Sequence, residues 1–298
     1  MSIRQNRLAA EQAFAEAMEF YRQRTAQSQH QAIQKWQESL HLWRELGDRH
    51  QEAESLTWIG FVYSNLGNRQ QAQEYFNQAL PLWQALGERE WEARTLNNIG
   101  LVYSSLGEKN QALDYYNQAL RLMQEEGNRA EEAVSLNNIG KVYSDLGNKN
   151  DALDYYNRAL VIRQEQNDRR GEAVTLNNIA GVFSDLGNKK EALEYYNQAL
   201  GIRREVGDRR GEGVTLNNIG LVYSDLGEKQ RSQESYQEAL HIRQEVGDRA
   251  GVAETLNNIG LLYFDLGEFQ QALNSYKQAL ELMRAVGNRR GEAVTLNN

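Results

Sequence analysis

The chain has 298 residues, with 33 lysines and arginines against 41 aspartates and glutamates, for a formal net charge of −8. That balance argues against a protein that tracks a phosphate backbone, because such affinity rests on clustered lysine and arginine. Zero cysteines exclude disulfides, thiolate metal sites and cysteine nucleophiles, and 40% hydrophobic residues with one proline and no long apolar run mark a soluble helical chain, neither disordered nor membrane-spanning.

The opening, MSIRQNRLAAEQAFAEAMEF, has early arginines but no apolar signal-peptide core, so a cytoplasmic location is expected. A polar, irregular helix is predicted over about residues 12–24. Its partner spans 31–47, QAIQKWQESLHLWRELG, with Trp36 where later copies place tyrosine. Residues 1–52 read as a degenerate first copy that caps the array. One phrase then recurs every 40 residues: SLTWIG (55–60), TLNNIG (95–100), SLNNIG (135–140), TLNNIA (175–180), TLNNIG (215–220) and TLNNIG (255–260). Self-similarity at a fixed period marks a solenoid, in which each unit packs only on its neighbours. Residues 53–292 are therefore read as six repeats, and 293–298 as the truncated start of another. Leu296 falls inside that unfinished helix, which suggests an arm of something longer or an engineered array.

Within 93–132, Leu96, Ile99, Gly100, Tyr103 and Leu106 form one amphipathic stripe, and Ala112, Tyr116, Ala119, Leu120 and Met123 form another. We call these two helices of a repeat A and B. Gly107 is placed to end helix A in a left-handed conformation. Helix B is expected to stop at Gly127, in phase with Gly47, Gly87, Gly207, Gly247 and Gly287; Asn167 takes that place once, as the next best residue for a left-handed cap. Gly100 lies opposite Ala112 and Ala119, leaving a socket for Tyr116. The set recurs as Gly140, Ala152, Tyr156 and Ala159, and as Gly220, Ser232, Tyr236 and Ala239. Pro81 falls inside a helix B and should remove one backbone hydrogen bond there.

Paired asparagines are the most suggestive polar residues: Asn97/Asn98, Asn137/Asn138, Asn177/Asn178, Asn217/Asn218 and Asn257/Asn258. Adjacent helical residues cannot both point inward. Asn98 shares a face with residues 94, 101 and 105, away from the Ile99–Tyr103 stripe. An amide offers both a donor and an acceptor, so it can match a peptide unit without reading its side chain. The competing assignment is that the asparagines cap or bridge adjacent repeats. Positions that vary in phase would set selectivity: Glu54, Arg94, Val134, Val174, Val214 and Glu254; then Phe61, Leu101, Lys141, Gly181, Leu221 and Leu261. Asp145, Asp185, Asp225 and Asp265 suggest an acidic edge. A row of arginines (49, 89, 129, 169, 209, 249 and 289) is expected to pair with neighbours such as Glu132, Glu172 and Glu212 rather than with nucleic acid. Asp48, Asp168, Asp208 and Asp248 read as helix N-caps. Of the tyrosine pairs, one member should be core and the other half-exposed. The four histidines lack metal-ligand spacing, no phosphate loop exists, and the carboxylates repeat instead of forming one constellation. No catalysis, cofactor or metal is expected.

The pattern resembles the tetratricopeptide repeat family, with Ile99, Gly100, Tyr103, Ala112, Tyr116 and Ala119 on its signature positions. The repeat is longer than the usual length of about 34 residues, as in the subgroup of kinesin light chains, Pins-type adaptors and prokaryotic sensors. Leucine replaces the first bulky aromatic of helix A. The resemblance implies an all-α, right-handed superhelical solenoid of antiparallel helix hairpins. It also implies a concave groove where an asparagine ladder, together with Lys141, Leu221 and Leu261, holds an extended peptide. Most of the lysine- and asparagine-rich clamp of the chaperone-tail members is missing. The leading expectation is thus a protein- or peptide-binding scaffold with no nucleic-acid or membrane partner. Alternatives are a regulatory arm of a larger effector, or a structural or designed array without ligand. Self-association through the uncapped C-terminal end is a further expectation.

Overall fold

The computed structural model describes residues 3–23, 25–286 and 288–298, and among them there are fifteen helices and no strand. Two compact units, Met1–Asn148 and Lys149–Asn298, divide the chain. The N-terminal unit holds α1 (Ile3–Arg22), α2 (Ala26–Leu46), α3 (Arg49–Asn65), α4 (Arg69–Leu86), α5 (Arg89–Ser105), α6 (Lys109–Glu126) and α7 (Arg129–Asp145). The C-terminal unit holds α8 (Lys149–Glu165), α9 (Arg169–Asp185), α10 (Lys189–Glu205), α11 (Arg209–Asp225), α12 (Lys229–Glu245), α13 (Arg249–Asp265), α14 (Phe269–Ala285) and α15 (Arg289–Asn297).

Local signals set these boundaries. Asp48, Asp168, Asp208 and Asp248 each accept the backbone N–H three residues on, as expected of N-caps, and Asn128 and Asn288 do the same. Helix A ends through a left-handed glycine. Gly107 has φ +85°, its N–H reaches Ser104 O at 3.1 Å, and Glu108 N–H reaches Tyr103 O at 3.0 Å. Asn167, at φ +52°, is the one non-glycine residue with positive φ among the described residues. Gly287 and Arg24 lie outside them. Leu106 departs from its expected core place: it is 47% exposed, because it follows the last helical turn and is carried off the stripe.

Hairpins form where small residues meet rings. In the N-terminal unit α1 pairs with α2, α3 with α4 and α5 with α6; in the C-terminal unit α9 pairs with α10, α11 with α12 and α13 with α14. A Cβ on Gly100 would lie 2.7 Å from the Tyr116 ring, and one on Gly220 2.6 Å from Tyr236, so a side chain there would force the ring to shift; Ala180 takes the equivalent place once, packed in one cluster with Tyr196. Ser232, in an alanine position, donates to Gly220 O at 2.8 Å. Each hairpin also packs on the next, α2 on α3 and α4 on α5 in one unit, α10 on α11 and α12 on α13 in the other. The first helix begins at Ile3 and not near residue 12, because Ala10, Ala13 and Ala17 form a small-residue stripe fully or nearly buried against α2. Pro81 lies inside α4.

Candidate functional site

Successive A helices of the N-terminal unit present one shared face. Tyr21 of α1, Thr57, Trp58 and Phe61 of α3, Trp91, Arg94, Asn97 and Asn98 of α5, and Glu131 and Val134 of α7 line a cleft of about 320 Å³. Trp58 and Asn98, like Arg94 and Val134, are equivalent positions one repeat apart. The cleft therefore follows the face on which spacing places Asn98 and residue 94.

In the pairs 97/98, 217/218 and 257/258 the first asparagine is buried and the second half-buried. Asn97 is 5% exposed; its Nδ2 donates to Ser135 Oγ at 3.0 Å, and its Oδ1 accepts from the same hydroxyl at 3.3 Å. In the C-terminal unit Asn177 Oδ1 accepts from Thr215 Oγ1 at 3.1 Å, and Asn217 and Asn257 accept from Asn258 Nδ2 and Asn298 Nδ2, each at 3.2 Å. These bonds join residues 38 or 41 apart in sequence, so the first asparagine links one repeat to the next and offsets its poor helix propensity. Asn137 and Asn178 are half-buried and engaged in interactions of their own. Asn98 and Asn138, and Asn218 in the C-terminal unit, are half-buried with no side-chain hydrogen bond. Lys141, Leu221 and Leu261 are exposed.

The aromatic wall of the cleft was not anticipated from sequence. Trp58 stacks on Trp36 (5.6 Å, 9°), and Tyr21 and Phe61 lie 5.6 and 6.1 Å from Trp58. Trp91 stacks on buried Trp83 at 5.1 Å. Arg94 lies 5.6 Å over the Trp91 ring, while its Nε and Nη2 reach Glu131 at 2.9 Å and its Nη2 reaches Glu90 at 2.8 Å. The signal was present in SLTWIG, the one copy in which Thr57 and Trp58 replace both asparagines.

A second cleft, about 400 Å³, lies in the C-terminal unit against Val214, Glu254, Asn257 and Val294. Arg243, 2% exposed, spans its wall and donates through Nη1 to Gly251 O (2.6 Å) and Thr255 Oγ1 (2.9 Å).

The expected acidic edge is corrected. Asp145 pairs with Lys109 at 2.6 Å, and in the C-terminal unit Asp185, Asp225 and Asp265 pair with Lys149, Lys189 and Lys229 at 2.5, 2.5 and 3.2 Å. Each aspartate meets the first lysine of the preceding B helix, and the strip is a ladder of ion pairs with little net charge. Much of the arginine row pairs as expected, Arg129 with Glu132 at 2.6 Å, Arg169 with Glu172 at 2.6 Å and Arg209 with Glu212 at 2.7 Å, whereas after Arg249 the place of that glutamate is taken by Val252. Tyr116 is buried, whereas Tyr115 is half-buried and stacks on Tyr103 at 5.3 Å. Among the described residues no cluster of three metal-ligating side chains occurs, and no helix is long and apolar enough to cross a membrane.

Comparisons with known proteins agree with this architecture. No curated protein sequence matches the chain. Among solved structures it is similar to the apo form of RapI, at 20% identity and a TM-score of 0.73, over 94% of this chain and 99% of that one. It is similar to aspartyl phosphate phosphatase F from Bacillus subtilis, at 18% identity and a TM-score of 0.76, over 93% of this chain and 71% of that one. A third is the Rap conjugation gene regulator of the plasmid pLS20 in complex with the Phr* peptide, at 16% identity and a TM-score of 0.72, over 93% of this chain and 74% of that one. At such identities the likeness is one of fold. The tetratricopeptide repeat model matches residues 51–125, 110–165, 131–205, 171–245 and 211–285, and the chain belongs to the tetratricopeptide repeat family.

Proposed function

We propose that the chain is a non-catalytic scaffold that binds a protein or peptide partner as an extended segment along the A-helix face. In the N-terminal unit the second asparagines at 98 and 138 hold its main chain and Lys141 faces its side chains; within the C-terminal unit Asn218, Leu221 and Leu261 offer the same kinds of group. The observation that carries this reading is Asn98, a half-buried amide with no hydrogen bond at the wall of an open cleft. Such a group is ready to give one donor and one acceptor to a passing peptide unit. The first asparagines act one step back, keeping successive A helices in register. A similar fold carries a peptide in the pLS20 regulator complex, which supports the reading by analogy of fold. Another similar structure is named a phosphatase, yet here the carboxylates repeat in phase and gather into no single constellation.

Affinity capture from a decapeptide library tests the proposal with the full chain and its Asn98→Ala/Asn138→Ala variant. Peptides retained by the wild type should be lost by the variant at unchanged melting temperature. Equal retention by both would refute the assigned role.

A further inference from the structure

The aromatic wall of the N-terminal cleft is built from residues at which the repeat departs from itself. Trp58 stands where the later copies have Asn98, Asn138, Asn178, Asn218 and Asn258. Trp91 stands where they have Glu131, Gly171 and Gly211. In a repeat array, neighbours of common sequence suffice for stacking, so clustered departures call for a local purpose. Packing accounts for one face of Trp58, stacked on Trp36. It does not account for the cleft side, where Tyr21, Trp58, Phe61 and Trp91 are all left half-buried around about 320 Å³ of open space. That volume lies at the lower end of the roughly 300–1,000 Å³ usual for ligand sites.

Charge narrows the occupant. The one cation on the wall, Arg94, is already paired with Glu90 and Glu131, which disfavours an acidic group there. Glu54, one turn before Trp58, is half-buried and has no ion-pair partner among the described residues. We infer that this cleft is a side-chain subsite taking a bulky uncharged residue, aromatic or leucine-sized, with a lysine or arginine beside it, from a segment whose main chain passes Asn98. The inference rests on the peptide-binding reading above and adds the chemistry of the partner. An aromatic anchor seated here gains edge-to-face contacts as well as burial.

The test is a positional-scanning decapeptide library, each pool fixing one residue at one position, applied to the full chain. The wild type should prefer phenylalanine, tyrosine, tryptophan or leucine at one position by about tenfold or more, and reject aspartate and glutamate there. Two variants probe the cleft. Trp58→Asn installs the residue of the later repeats, and Val134→Glu places a carboxylate where Glu54 and Glu254 already stand. Both should abolish the apolar preference while leaving pools fixed at other positions unchanged. Should Trp58→Asn fail to fold, Val134→Glu decides. An apolar preference that survives Val134→Glu, or a preference for an acidic residue, would overturn the inference while leaving a peptide groove in place. Failure of every pool to bind would overturn both readings.

Discussion

Asn167 shows how much a single side chain has to do in this chain. It holds φ +52° where the equivalent residues in other repeats are glycine, such as Gly127 at +66° and Gly207 at +66°. A left-handed residue with a Cβ costs roughly 1–2 kcal/mol, and asparagine softens that cost through local hydrogen bonding. Asn167→Ala should therefore lower stability by about 1 kcal/mol in urea unfolding, whereas Asn167→Gly should leave it unchanged or slightly raised. The cap was legible because phase alone identifies it. The division of labour within the asparagine pairs was not. Spacing shows that Asn97 and Asn98 differ in direction, but whether Asn97 finds Ser135 depends on how far one hairpin is displaced from the next. Likewise Trp58 read only as part of one copy of the repeated phrase, because one sequence does not show which faces of a large ring stay uncovered.

At the scale of elements, the B helices vary in one telling place. Tyr75, Tyr115 and Tyr195 stack on the helix-A rings of Tyr63, Tyr103 and Phe183 at 5.6, 5.3 and 5.3 Å. In the hairpin of α11 and α12 that position is Ser235, and Arg231 covers Tyr223 instead, 4.1 Å from its centroid. A cleft of about 260 Å³ opens beside Ser235, over Leu200, Leu216 and Ile219. Ser235→Tyr should restore the stack and raise stability by about 0.5–1.5 kcal/mol. A fall in the melting temperature would show that Arg231 already fills the space. The hairpin order, caps and glycine sockets all follow from the 40-residue pattern. The early start of α1 was hidden because its buried stripe is alanine, too weakly apolar to stand out among polar neighbours.

For the whole molecule, stability is the sum of many similar hairpins, and so are its responses to pH. Burial, together with the nearby Asp185 carboxylate, pushes the Tyr196 phenol up to about 12, and burial raises Tyr116 and Tyr236 in the same direction. The sign follows from linkage: the unfolded phenol ionises near 10 while the folded one stays neutral, so stability is full below about pH 10 and is lost as pH rises toward 12. Urea midpoints should be flat from pH 7 to about 9 and fall above 10, with Tyr196→Phe removing roughly 2–3 kcal/mol of that alkaline loss. A decline that is unchanged in Tyr196→Phe would place its origin elsewhere. The exposed ion-pair ladders, worth about 0–1 kcal/mol each, should make only a modest, salt-sensitive difference.

The central claim is that an asparagine amide on the A-helix face holds the main chain of a bound peptide. A double-mutant cycle between Asn98→Ala and single backbone N-methylations along a selected decapeptide measures this contact directly by calorimetric titration. At one peptide position, N-methylation should weaken binding to the wild type about tenfold and add nothing to the loss already caused by Asn98→Ala. Strict additivity at every position would show that Asn98 touches no peptide N–H, and would contradict the account.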